Sequence, residues 1–206
     1  MMYYSNKLIK YSSISHCFLN RKGGNSKGIY KSLNCGKGSL DNKNSVNQNL
    51  KIACKKISSS YKKLILLNQT HSNKIYFFDK KNIKHKNRKL GDALITKEKK
   101  IIIGILTADC VPLLIYDKKL KIISAVHAGW KGAYKGIIKK VIKYLLRNGS
   151  EPKNLIAAIG PCINQKNYEV RKDFMTKFLK QSKKNKIFFK KLKKKTYFSL
   201  NKYVYN

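Results

Sequence analysis

Apolar and polar positions divide the chain into stretches of different texture. The first fifty residues are turn-rich. Arg21-Lys22-Gly23-Gly24-Asn25-Ser26-Lys27-Gly28 places three glycines in eight positions, and Ser32-Leu33-Asn34-Cys35-Gly36 follows. This pattern predicts an ordered loop in which glycine permits positive backbone angles. Residues 46–57 suit a short helix. From residue 63 short runs of Ile, Leu and Val alternate with Gly, Asp, Asn or Pro, predicting strands at Lys63–Leu67, Lys74–Phe78, Ala93–Thr96, Ile101–Thr107, Leu113–Tyr116 and Lys121–Val126. Their near-continuous apolar character predicts a sheet covered on both faces. After His127-Ala128-Gly129-Trp130, the residues Ile137, Ile138, Val141, Ile142, Leu145 and Leu146 recur at helical spacing, with Lys139, Lys140, Lys143 and Arg147 opposite them. Gly149 is a fitting stop for that helix. A strand at Asn154–Ile159, a Gly160-Pro161-Cys162 turn and a helix near 171–182 come next. The lysine-dense segment 183–195 predicts a solvated, mobile stretch. The order of elements predicts a single α/β domain, a mixed β-sheet layered with helices.

Length and composition agree with a globular domain. The 206 residues suffice for a real core. No apolar run reaches membrane-spanning length, and the N-terminus lacks the apolar stretch of a signal peptide, so a cytoplasmic protein that avoids membranes is expected.

Charge changes the picture less than its size suggests. With 47 basic and 9 acidic residues the formal net charge is +38, which first points toward nucleic acid. The lysines are spread along the whole chain, however, and enrichment in Lys, Asn, Ile, Tyr and Phe is what AT-rich codons supply. A specific nucleic-acid surface is therefore not expected, because charge alone gives only salt-sensitive, non-specific affinity. The same field draws small anions, inorganic phosphate included. Five cysteines (17, 35, 54, 110 and 162) with no CxxC pair argue for reduced thiols rather than a disulfide framework.

Three segments put metal-competent residues near predicted strand ends: Leu67-Asn68-Gln69-Thr70-His71, Thr107-Ala108-Asp109-Cys110 and Val126-His127-Ala128-Gly129. Strand ends are where α/β proteins place ligand groups. Two imidazoles and a thiolate form a borderline-soft donor set suited to Zn²⁺, and three protein ligands leave a position open, as in catalytic sites. Cys110 paired with His127 or His71 also fits a metal-free cysteine hydrolase. Trp130 and Cys162 read more simply as packing residues.

The motifs RKGGNSKGIYKSLN at 21–34, NQTHS at 68–72, GDALIT at 91–96, TADCVPLLIYD at 107–117, AVHAGWKGAYKGI at 125–137 and AAIGPCINQKNYEV at 157–170 resemble the purine nucleoside phosphorylase family formerly described as laccase-like multicopper polyphenol oxidases. They fall in the family's order and cover nearly the whole chain. The resemblance implies zinc held by His71, Cys110 and His127. It also implies phosphorolysis of adenosine, inosine, guanosine and methylthioadenosine to base plus ribose 1-phosphate, together with adenosine deamination. Purine nucleosides and inorganic phosphate are then the partners, with a homo-oligomer as a further expectation. Arg21 and Lys131 are candidates for phosphate, while Asn34, Gln69, Asp92 and Asp109 are candidates for ribose or base. Lys131 stands where most members carry Arg, which keeps the charge but loses the planar fork. Relative to those members, the chain is expected to lack the C-terminal end. Copper-dependent phenol oxidation, the older label, needs many more histidines than His16, His71, His85 and His127.

Overall fold

The structure, a computed structural model, describes residues 2–83 and 87–206, so His85 lies outside the described residues. Two short strands, β1 (Met2–Tyr3) and β2 (Phe18–Leu19), pair antiparallel near the start. Helix α1 (Lys43–Ile57) begins where the Asn42 side chain accepts from the Asn44 and Ser45 amides, satisfying donors that a helix start leaves unpaired. Its Val46, Leu50 and Cys54 are buried, which matches the spacing of one helix face.

The strand-rich stretch forms β3 (Lys63–Ile65), β4 (Ile75–Phe78), β5 (Ala93–Thr96), β6 (Ile101–Ile103), β7 (Val111–Asp117), β8 (Ile122–Ala128) and β9 (Leu155–Ile159). Five of these make the main sheet in the order β4-β5-β8-β7-β9, with β4 and β5 parallel and the remaining pairs antiparallel. β3 pairs with β6 in a separate parallel ribbon. The chain is thus a mixed α/β fold, as its pattern predicts. β7 and β8 are buried along nearly their whole length, which explains their continuous apolar character.

Helices α2 (Trp130–Tyr134) and α3 (Ile137–Arg147) follow β8, separated by Gly136 at a φ of 74°, a backbone conformation that favours glycine. α3 buries Ile137, Val141 and Leu145, the apolar face legible in the sequence.

Two expectations are corrected here. The strand expected over Ile101–Thr107 ends at Ile103. Beyond it, the Gln69 side chain takes both backbone groups of Leu106, accepting from its N–H and donating to its carbonyl, each at 2.7 Å. Segment 183–195 is ordered rather than a mobile stretch. It folds into a 3₁₀ turn over Lys183–Phe188 and a hairpin of β11 (Phe189–Leu192) with β12 (Lys195–Phe198). β10 (Glu169–Val170) adds to the other side of β12. Lysines dominate the composition there, but Phe188 and Phe198 are the residues that anchor it. Both are buried in the main core with Phe178 of α4 (Lys172–Gln181) and Leu200 of α5 (Leu200–Tyr205). Phe178 is fully enclosed, with the rings of Phe174 and Phe198 both 4.8 Å away. No helix among the described residues is long and apolar enough to cross a membrane.

Candidate metal centre

The antiparallel registers of the main sheet explain why distant residues meet. β7 and β8 pair with Val111 opposite Ala128 and Pro112 opposite His127, so Cys110, just before β7, arrives beside the end of β8. β5 pairs with β8 through Ala93 and Val126, and the Asp92 carbonyl accepts the His127 N–H at 2.8 Å. Asp92 is thereby brought to the same end of the sheet. His71 comes from the turn between β3 and β4 and has a φ of 55°. That left-handed conformation is uncommon for a residue other than glycine. Here it is held by Asp92, whose carboxylate accepts the His71 N–H at 3.0 Å and both the N–H and hydroxyl of Ser72 at 2.7 Å.

The potential ligand atoms of His71, Cys110 and His127 all lie within 4.8 Å of one another. The Cys110 Sγ to His71 Nε2 separation is 3.7 Å. Tetrahedral zinc with Zn–S about 2.3 Å and Zn–N about 2.0–2.1 Å requires roughly 3.5 Å between sulfur and nitrogen, which the Cys110–His71 pair matches closely. His127 is buried, and its Nδ1 is 2.8 Å from Asp92 Oδ1, which leaves Nε2 as the nitrogen free to ligate. A carboxylate behind a histidine is the usual support of a metal ligand, fixing both tautomer and ring orientation.

The electrostatics show the same coupling. Burial opposes a charge on His127, but the bond to Asp92 and the nearby Cys110 sulfur outweigh it and push its pKa up to about 9. Burial likewise opposes ionisation of Asp92. The bonds from His127, Ser72 and Thr70 overcome that penalty and hold its carboxyl well below the usual carboxylate range. The His71 pKa is lowered, first by burial and then by the adjacent His127, with Lys131 adding to it.

Gly129 is part of the geometry. A Cβ at this position would lie 2.6 Å from His71 Cδ2, closer than real Cβ atoms pack, and 3.0 Å from Cys110 Sγ, a tight contact. The Gly of HAGW is therefore required by the approach of the His71 ring and the Cys110 sulfur rather than by a turn.

The other expected site residues are placed unevenly. Asp92 has no exposed surface, and its oxygens are taken by the His71 turn and His127, so it supports these residues instead of facing a substrate. Gln69 is spent on Leu106. Asp109 is exposed, next to Cys110, and its carbonyl accepts the Ile163 N–H at 2.9 Å. Lys131 is exposed, with its Nζ 5.6 Å from the Trp130 ring centroid. Arg21 donates to the carbonyls of Lys31 and Ile29. Asn34 bonds to Ser39, Asp41 and the Gly36 amide. The side-chain bonds of both residues thus stay within the N-terminal loop. Trp130 packs against Phe174 at 5.0 Å, and Cys162 packs against the main core. Sequence reasoning missed the roles of Ser72 and Gly129. Each adjoins a ligand in the sequence or in a quoted motif, and that adjacency was the available signal. A cavity of about 480 Å³ between α1 and β3 has a rim of Lys37, Lys51, Lys63, Arg88 and Lys89 but is lined by none of the three ligands.

Comparison with known proteins places this chain among relatives. The family model described as "Multi-copper polyphenol oxidoreductase laccase" matches residues 15–206. A purine nucleoside phosphorylase of Rickettsia conorii is 39% identical over 149 residues, 71% of this chain and 60% of that protein. A purine nucleoside phosphorylase of Bacteroides thetaiotaomicron is 33% identical over 180 residues, 84% of this chain and 67% of that protein. An adenosine deaminase from an unknown prokaryotic organism is 35% identical over 123 residues, 57% of this chain and 47% of that protein. The chain thus spans about half to two thirds of the length of these relatives. The crystal structure of the hypothetical protein YfiH of Bacillus licheniformis superposes with a TM-score of 0.83 at 25% identity, covering 91% of this chain and 74% of that one.

Proposed function

Since this chain belongs to the family described as multi-copper polyphenol oxidoreductase laccase, whose relatives include proteins named purine nucleoside phosphorylase, we propose that it is a zinc-dependent purine nucleoside enzyme. It phosphorolyses adenosine, inosine, guanosine and methylthioadenosine to base and ribose 1-phosphate, and it also deaminates adenosine. The observation that carries this reading is the convergence of His71, Cys110 and His127 in front of the buried Asp92.

Zinc rather than copper suits the donors. Among the described residues His16 is already used, its Nε2 accepting the Ser5 N–H at 2.9 Å, and the one group of three metal-competent side chains is His71, Cys110 and His127. A blue-copper and trinuclear set needs many more histidines. Bound zinc would supply Lewis-acid polarisation of an oxygen, or a water whose pKa is lowered to about 7.

The chain's own residues do the rest. Asp92 holds the His127 ring by its Nδ1, so that ring need not be ordered when a substrate arrives, and it fixes the backbone of His71. The Lys131 ammonium, four residues beyond His127 on α2, would offer a point charge for inorganic phosphate. The net charge of +38 raises the local concentration of that anion. Asp109, exposed beside Cys110, would accept from ribose hydroxyls.

A metal-free cysteine hydrolase is the second reading, favoured by the 3.7 Å separation of Cys110 Sγ and His71 Nε2. Product analysis tests the leading one. With adenosine or inosine, base release should rise with added phosphate and yield ribose 1-phosphate, whereas conversion of adenosine to inosine should not require phosphate. Base release that ignores phosphate and yields free ribose would point to hydrolysis instead.

A further inference from the structure

Cys110 and His127 are set by the pairing of β7 with β8, whereas His71 comes from a turn that has to be held by other means. Asp92 holds one side of it, accepting the His71 and Ser72 N–H groups at 3.0 and 2.7 Å. The other side lies against α2, the short helix that follows His127. Gly129 and Gly132 are three residues apart, a spacing that puts them on one face of a helical turn. The His71 ring passes Gly129. At Gly132 a Cβ would lie 2.8 Å from the Ser72 carbonyl oxygen and 3.8 Å from that of His127, so the backbone of the turn rests directly on the helix. Beyond it, the Asn73 side chain donates to the Lys135 carbonyl at 2.9 Å. Lys135 caps the end of α2, where helix carbonyls lack an intrahelical partner.

The helix itself does not call for a glycine at 132. Glycine inside a helix is less favourable than alanine, and Gly132 lacks the positive φ that accounts for Gly136. The room it leaves is taken by the Ser72 carbonyl. His71 has a φ of 55°, disfavoured for a residue with a side chain. A turn held in such a conformation relaxes when an anchor is lost, and the ring then leaves its place 3.7 Å from the Cys110 sulfur.

We propose that Gly132 and Asn73 are positioning residues for His71, an inference that rests on the metal reading of the site. α2 is the template on which the His71 turn is set: Gly132 admits the Ser72 carbonyl, and Asn73 ties the turn to the helix end.

The test is competitive titration of zinc into metal-free wild-type, Asn73→Asp and Gly132→Ala protein, together with visible spectra of the cobalt(II)-loaded forms. Aspartate keeps the shape of Asn73 but, ionised, has no N–H to donate. Its zinc affinity should fall roughly three- to tenfold, the size of one hydrogen bond. Its cobalt ligand-field bands should shift while the sulfur-to-cobalt charge-transfer band remains. Gly132→Ala should lose zinc affinity roughly tenfold or more, although alanine is the better helix former. Unchanged zinc affinity or an unchanged cobalt spectrum in Asn73→Asp overturns the inference, whatever its melting temperature, because the bond would then serve the fold alone. Asn73→Asp decides by itself if Gly132→Ala does not fold. Wild-type protein that binds neither ion overturns the metal reading and this inference together. Metal-loaded wild type that turns over no nucleoside refutes the proposed reaction, while the two titrations still decide the positioning.

Discussion

Cys110→Ala protein purified without chelator is expected to contain almost no zinc and to lose phosphate-dependent base release by roughly a thousandfold or more. The thiolate is the softest donor of the three, and removing it leaves two imidazoles, too few to hold the ion against water. Lewis-acid stabilisation of several kcal/mol disappears with the ion, at a factor of ten in rate for each ~1.4 kcal/mol. The fold should survive. Cys110 is only partly buried and sits in the loop ahead of β7, so the melting temperature of the variant should match that of metal-free wild type. Zinc content and activity measured on the same preparation separate the two readings of the site. Loss of activity with full zinc retention would make Cys110 a nucleophile instead of a ligand.

Asp92→Ala should do comparable damage by another route. Asp92 has no exposed surface, and its carboxylate accepts from His127 Nδ1 at 2.8 Å, from Ser72 N–H and hydroxyl at 2.7 Å and from His71 N–H at 3.0 Å. Alanine leaves the imidazole and these donors without their acceptor in a buried position. Breaking a buried charged pair by removing one partner costs about 3–5 kcal/mol, and supports of this kind are worth about 10–100-fold in metal affinity. Denaturant titration and competitive zinc titration should therefore both show the loss, although no ligand has been touched. If stability and zinc affinity both match wild type, Asp92 is not the frame of the site.

Much of this arrangement was legible before the fold was known. The α3 face from Ile137 to Leu145 appears where its periodicity puts it, and the run Ala93–Thr96, buried at every position, appears where its continuous apolar character puts it. His71, Cys110 and His127 stood out as metal-competent residues near strand ends. What was not legible is how they meet. Cys110 follows an apolar run in sequence, yet it belongs to the strand after it, because Gln69 takes over the backbone of Leu106 and ends β6 early. Asp92 looked like a substrate contact, since nothing local shows that antiparallel pairing of β5 with β8 turns its carboxylate inward against His127. Segment 183–195 looked mobile because its lysines, which are exposed, hide Phe188, buried, and Phe189, partly buried, against partners in the flanking α4 and α5.

We propose that purine nucleoside chemistry on this fold depends on one metal ion held by His71, Cys110 and His127. Returning zinc stepwise to metal-free protein, while following phosphate-dependent release of hypoxanthine from inosine, tests that dependence. Negligible release is expected without metal, followed by a rise in proportion to added zinc and a plateau near one equivalent per chain. Full phosphorolytic activity in the metal-free protein, or none at any zinc level in folded protein that has bound the ion, would contradict it.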